Sequence, residues 1–436
     1  MFINDFPDFD WWFSQQAILV DVVNNDAEND IASWKKFIKL LRRERKSRPF
    51  NGVVITLALS ELLTLSHKER QAFVTRITNY IRDIYSHFKA YVPIYVVFNK
   101  CDLLPNVLTD VSNIDLSTNV LGQKIDFPLF LSATAMHRLY HHHGERATAK
   151  AAEKMGTIFG TSTMATVSIE EIGELTKGPK LFQLYIHKDR GLTDNLIERC
   201  KKSDFNSMCL TVDTVVAGNR ERDRRTGFST PPKLTLESLV SFALHPGWTL
   251  NNLFHEKFKL ANIIHMTEKG SSIDKSVIDY INEQFDPSMN WKDAEYCVKK
   301  WNGPFALKGV MSVEDAKKAI DIGCTAIIIS NHGGRQLDGS RAPFDQLAEI
   351  VDAVGDKIEV ILDGGVRRGT HVLKALSLGA KACSFGKGHL FALAAGGQKG
   401  VEEILTKMKD EIYRDMTLMG CKSISELNRS KVIFRK

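Results

Sequence analysis

From about residue 128 onward, short apolar runs alternate with longer amphipathic stretches, and the runs number eight. They occupy 128–133, 156–162, 180–186, 207–213, 305–309, 326–330, 360–365 and 382–387. Near-continuous apolar runs of this length suit strands buried on both faces. Six of the seven gaps hold one helix each, as parallel crossovers require. The pattern predicts an α/β chain whose main part is a closed (β/α)8 TIM barrel. The gap between the fourth and fifth runs is far longer, with an insertion at about 222–300 rich in Leu, Phe and Trp, Lys and Arg nearby. That composition suits a membrane surface or, equally, a lid over the barrel mouth.

The first hundred residues carry a different pattern. Apolar runs at 17–23, 52–59 and 92–98 predict strands, and 66–89 places Phe73, Ile77, Tyr80, Ile81, Ile84, Tyr85 and Phe88 on one helical face. Asn99-Lys100-Cys101-Asp102 follows the third run, at the carboxyl end of a strand, where open α/β sheets bind ligands. N-K-x-D is the guanine-reading pattern of GTPases, yet no G-x-x-x-x-G-K-[ST] loop is present to hold phosphates. The expected division is an α/β segment over 1–103 and a barrel over 104–436.

Composition narrows the classes. The chain has 436 residues, 43% hydrophobic and 25% charged, with a formal net charge of +6. This is ordinary for a folded globular protein, and no basic run interleaved with aromatics points to nucleic acid. The seven cysteines include no C-x-x-C pair, so reduced thiols in a cytoplasm are expected, and neither disulfides nor a metal site. No signal peptide and no spanning helix is predicted.

Candidate chemistry gathers at the carboxyl ends of the eight runs, the face where barrels carry their sites. Read in order, those ends supply Ala133-Thr134-Ala135, Ser162, Gln183 with Tyr185, Thr211 with Asp213, Lys308, His332 with Arg335, Asp363 with Arg367, and Gly386-Lys387. Asp363-Gly364-Gly365-Val366-Arg367 and Gly386-Lys387 sit where glycines and helix N-termini favour a phosphate. His332 can take a proton, while Arg335 can grip a carboxylate.

These motifs carry two resemblances. L-P-N-V-L-T-D (104–110), S-A-T-A-M (132–136), F-Q-L-Y (182–185), L-T-V-D-T (210–214), L-K-G-V (307–310), S-N-H-G-G-R-Q-L-D (330–338) and D-G-G-V-R-R-G (363–369) resemble the FMN-dependent α-hydroxy acid dehydrogenases and oxidases over about 103–428. Within that family, Gly227-Phe228-Ser229-Thr230-Pro231-Pro232 and His245-Pro246-Gly247-Trp248 are most similar to the membrane-associated lactate and mandelate dehydrogenases. Trp11-Trp12-Phe13, Arg48-Pro49-Phe50-Asn51-Gly52 and Asn99-Lys100-Cys101-Asp102-Leu103-Leu104 resemble the GTPase-like domain of the IcmF-type component of type VI secretion, over about 8–104.

The first resemblance implies FMN as cofactor and oxidation of an L-2-hydroxy acid, with L-lactate foremost and a membrane quinone as acceptor. It implies that Ala133, Thr134, Ala135, Ser162, Gln183, Thr211 and Lys308 surround the flavin ring. Asp363, Gly364, Gly365, Arg367, Gly386 and Lys387 would serve the cofactor's phosphate side, and Tyr185, Arg220 and Arg335 the substrate. His332 would be the base, oriented by Asp213. The family implies a homotetramer and a cytoplasmic chain, peripheral on the inner face of the membrane. Two departures follow: position 387 is Lys where Arg is usual, and IcmF-like sequence stands where the family carries a substrate-binding Tyr. Two rival readings stay open, a secretion-apparatus fragment and an inactive chimera of two truncated genes.

Overall fold

The computed structural model describes residues 101–216, 218–219, 235–255, 259–263 and 285–434. It also describes the strands Phe9–Phe13, Ile18–Val22, Val53–Leu57 and Ile94–Phe98, and helical Thr75, Thr78 and Arg82. Two compact units result, Met1–Asp102 with Phe434–Lys436, and Leu103–Ile433. In the first, Val53–Leu57 pairs in parallel with Ile94–Phe98, and Phe9–Phe13 pairs antiparallel with Ile18–Val22. The rest of the expected 66–89 helix, and Asn99-Lys100, lie outside the described residues.

In the second unit all eight expected strands form. They are β1 (Leu129–Leu131), β2 (Phe159–Ser162), β3 (Lys180–Leu184), β4 (Ser207–Thr211), β5 (Phe305–Val310), β6 (Ala326–Ile329), β7 (Glu359–Asp363) and β8 (Ala382–Phe385), closed into one parallel barrel. Strand ends fall within three residues of the sequence reading. β2 starts later than its apolar run because Gly156, at φ +66°, turns the chain before it; a Cβ there would meet the Asp126 carboxyl at 2.4 Å. β5 carries a register shift between Lys308 and Val310, where Gly309 takes φ +105°.

Amphipathic helices cover the barrel: α1 (Glu145–Lys154), α2 (Ile169–Leu175), α3 (Arg190–Lys202), α4 (Leu236–Leu244), α5 (Pro246–Leu253), α6 (Trp291–Trp301), α7 (Val313–Asp321), α8 (Pro343–Val354), α9 (Gly369–Ser377) and α10 (Lys387–Met419). Side-chain oxygens of Ser168, Asp189, Asn290 and Ser312 cap α2, α3, α6 and α7, satisfying first-turn N–H groups. α10 breaks at Gly396–Gly397, where the backbone leaves helical angles.

The barrel floor is plugged by a hairpin, Thr118–Val120 against Gln123–Ile125. Val120, Leu121 and Ile125 join Phe130, Leu181, Cys209, Ala306 and Ile361 in one buried cluster. The charges at this end stop on backbone. Lys180 Nζ donates to the carbonyls of Thr176 (3.1 Å) and Gly178 (3.2 Å), and Glu359 accepts from Leu121 N (2.7 Å).

In the long segment between β4 and β5, α4 and α5 form a hairpin with Leu239, Val240, Leu244, Leu250 and Phe254 exposed. Trp248 Nε1 donates to Leu139 O at 2.8 Å. Residues 259–263 return to the barrel, where Asn262 accepts from Ile169 N (2.9 Å) and donates to Ser162 O (3.3 Å). Among the described residues no helix is long and apolar enough to cross a membrane. Cys200, Cys209, Cys297, Cys324, Cys383 and Cys421 are buried free thiols.

Candidate active site

The carboxyl ends of the strands bring two carboxylates to the mouth, each in its own network. Asp363, the last residue of β7, accepts from Ser330 Oγ at 2.7 Å, from Ser132 Oγ at 3.3 Å and from Ser384 Oγ. Lys308 Nζ lies 3.1 Å from the same carboxylate and donates to Ser330 Oγ at 3.3 Å. Burial works against the Lys308 charge, but Asp363 and Asp213 together outweigh it and raise the ammonium above its ordinary range. For Asp363 burial alone would raise the carboxyl; Lys308 and the hydroxyl donors reverse this and hold it below the carboxylate range. Both groups are therefore charged at neutrality.

Asp213 lies two residues beyond β4. His332 Nδ1 is 3.0 Å from both its carboxylate oxygens. A carboxylate only accepts, so Nδ1 carries a proton, and in the neutral ring Nε2 is the acceptor. The arrangement demands backbone strain: His332 is a non-glycine residue at φ +57°, held by its N–H donating to Ser330 Oγ at 3.1 Å. It also demands Gly309, where a Cβ would stand 2.7 Å from Asp213 Cβ. Gln336 fixes the other side, its Nε2 donating to Asp213 O (3.2 Å) and Val216 O (3.0 Å).

Along β3 and β4, Gln183 Nε2 donates to Thr211 Oγ1 at 2.7 Å and reaches Tyr185 OH at 3.4 Å. Tyr185 is buried among Leu260, Ile263 and Phe285, with Met136 and Met164 against them. Burial pushes its phenol up to about 12, so it remains a proton donor. Ser162 Oγ accepts from Met164 N at 3.2 Å. Ala133, Thr134 and Ala135 are half-buried just beyond β1.

The last two strands end on residues whose chemistry fits an anion. α10 begins at Lys387 behind Gly386 with no side-chain cap, leaving first-turn amides for a ligand. Gly365, at φ +72°, has open space where a Cβ would lie, and Gly364 takes φ +130°. Burial, then Arg335 and Arg367, lower the Lys387 ammonium. Lys387 and Arg367, with the open space at Gly365, fit a phosphate-bearing cofactor.

Of the residues singled out from sequence, Arg220 lies outside the described residues. Every other one lies in, or within six residues of, the carboxyl end of a barrel strand, Arg335 being the furthest. Sequence reasoning missed the three serines around Asp363, although Ser132 and Ser330 immediately follow strands and so carry the same positional signal. It also missed Gly309 and Gln336; a glycine directly after a strand lysine was the available hint for the former.

A closed parallel barrel with ionisable residues at the carboxyl ends of its strands is an enzyme scaffold, and comparison with known proteins makes the class specific. Residues 94–434 match the FMN-dependent dehydrogenase family, and the chain belongs to it; its cofactor is FMN and its chemistry that of 2-hydroxy acid oxidases and dehydrogenases. Residues 27–122 match the IcmF-related N-terminal domain. Among curated relatives, an L-lactate oxidase from Nostoc sp. is 42% identical over 77% of this chain and 87% of its own. Glycolate oxidase from Spinacia oleracea is 40% identical over 77% and 85%. Among solved structures, a monotopic membrane protein, (S)-mandelate dehydrogenase, aligns with TM-score 0.72 and 34% identity over 76% of this chain and 88% of its own.

Proposed function

We propose that the protein oxidises an L-2-hydroxy acid with an apolar substituent at C2, L-lactate foremost, to the 2-oxo acid. The supporting observation is the His332–Asp213 pair, which leaves Nε2 as an acceptor at the same mouth as the raised ammonium of Lys308. In the net reaction the C2–H and O–H bonds break, C2–O becomes a carbonyl, and two electrons and two protons leave. FMN, when bound, supplies the two-electron acceptor. His332 takes one proton at Nε2, and the imidazolium so formed sits 3.0 Å from the Asp213 carboxylate, which stabilises it. Lys308 offers positive charge where negative charge builds up, pre-set by Asp363 and its serines.

Arg335 and Arg220 hold the substrate carboxylate, and the Tyr185 hydroxyl orients its oxygen. Ala133 to Ala135, Ser162, Gln183 and Thr211 line the flavin ring, while Gly364, Gly365, Arg367, Gly386 and Lys387 hold its phosphate side. The apolar wall of Leu260, Ile263 and Phe285 beside Tyr185 favours a methyl or larger substituent over hydrogen. The exposed apolar face of α4 and α5 supports docking on a membrane surface, with a quinone as electron acceptor.

Anaerobic mixing of the yellow protein with L-lactate, (S)-mandelate and glycolate tests this reading. Bleaching by L-lactate or (S)-mandelate ahead of glycolate is expected. Bleaching by glycolate alone, or by none, would overturn it.

A further inference from the structure

The loop leaving β1 is tied to the start of α10 by buried hydrogen bonds that the chemistry above does not use. Thr134 Oγ1 lies 2.6 Å from His137 Nε2 and 3.1 Å from His389 Nε2. His389 Nδ1 is 2.5 Å from the carbonyl of Phe385, and His137 Nδ1 is 2.9 Å from Thr148 Oγ1. Both rings are fully buried.

The direction of every bond follows from one carbonyl. Phe385 O can only accept, so His389 carries its proton on Nδ1 and accepts at Nε2. Thr134 has a single hydroxyl proton, which goes to His389. The remaining contact can then exist only as His137 Nε2–H donating to Thr134 Oγ1, leaving His137 Nδ1 to accept from Thr148, whose one proton takes this 2.9 Å contact over the Glu145 carbonyl at 3.1 Å. Donation runs one way, from Thr148 on α1 through His137, Thr134 and His389 to the end of β8. Burial pushes each histidine down to about 3, which keeps both rings neutral.

The placement of the chain's members gives it a purpose. Thr134 stands between Ala133 and Ala135, the segment assigned above to the flavin ring. Phe385 directly precedes Gly386 and Lys387, assigned to the phosphate. Ser132 N also donates to Phe385 O at 3.2 Å, so the two segments meet.

We propose that Thr148, His137, Thr134 and His389 form a proton-ordered positioning chain. It fixes the 133–135 peptides against the flavin and locks them in register with the phosphate-holding turn. This rests on the flavin placement proposed above.

Thr134→Val keeps the shape and removes both hydrogen bonds of the hydroxyl, while Thr134→Ser restores them. Dilution of holoprotein, followed by the fluorescence of released flavin, reads the consequence. Thr134→Val is expected to weaken FMN binding at least about tenfold and displace the bound flavin's visible spectrum, with Thr134→Ser within about threefold of the parent. Unchanged affinity and spectrum in Thr134→Val would overturn the chain alone. A parent protein that takes up no FMN would overturn the flavin placement itself. If Thr134→Val does not fold, nitrogen-15 spectra of the unaltered holoprotein decide. His389 as the Nδ1–H tautomer and His137 as the Nε2–H tautomer are expected; the reverse tautomers, or an imidazolium in either ring at neutral pH, would refute it.

Discussion

The two ends of the barrel bury charge in different ways. At the floor Lys180 and Glu359 each end on backbone groups, which have fixed polarity and cannot change state. At the mouth Lys308 meets Asp363 and His332 meets Asp213, so charge is balanced by charge. Backbone partners anchor a fold. Side-chain partners of opposite sign let one member gain or lose a proton, or face a charged ligand, while the other compensates. The difference teaches that buried charge in this fold marks function only where its partner is itself ionisable.

Removing one member at each end sharpens the contrast. Lys308→Met strands the buried Asp363 carboxylate and should cost about 3–5 kcal/mol of stability, read by denaturant unfolding. Lys180→Met leaves only carbonyls behind and should cost about 1–3 kcal/mol. Equal losses would break the comparison.

Asp213→Asn frees the His332 tautomer and removes the charge that balances the imidazolium. Substrate-driven flavin reduction should slow about 100-fold or more in stopped flow, with FMN retained. A change under about threefold would remove Asp213 from the mechanism.

The buried histidines behind the mouth set an acid limit. His137 and His389 have folded-state values of about 3 against an ordinary 6.5, through burial. The folded state therefore binds fewer protons than the unfolded one. Its stability is fully present above pH 6.5 and is lost as pH falls toward 3. At about pH 5 the loss should reach about 2 kcal/mol per ring, and His389→Gln should flatten the profile. Gly309→Ala should have the smallest effect, a roughly tenfold fall in reduction rate as Asp213 shifts away from His332.

The barrel was legible because parallel strands covered on both sides leave uninterrupted apolar runs, as at 326–330 and 207–213. Its site was legible because polar residues stand where such runs stop: Thr211, Asp213, His332, Asp363 and Lys387 all follow that rule. The pairings were not legible. Asp213 and His332 are 119 positions apart, and Thr134 and His389 are 255 apart. No local pattern encodes such meetings; closure of the barrel does. The strain at His332 and the need for Gly309 arise from the same closure. The exposed apolar face of α4 and α5 was visible as Leu-rich sequence, but sequence could not separate lid from surface, since both require the same composition.

The central claim is that Nε2 of His332, freed by the Asp213 contact, takes the substrate proton. FMN-loaded His332→Ala mixed anaerobically with L-lactate tests it most directly. The account predicts that the variant stays yellow with FMN bound while its reduction slows about 10⁴-fold relative to the parent. Bleaching at the parent's rate would contradict it.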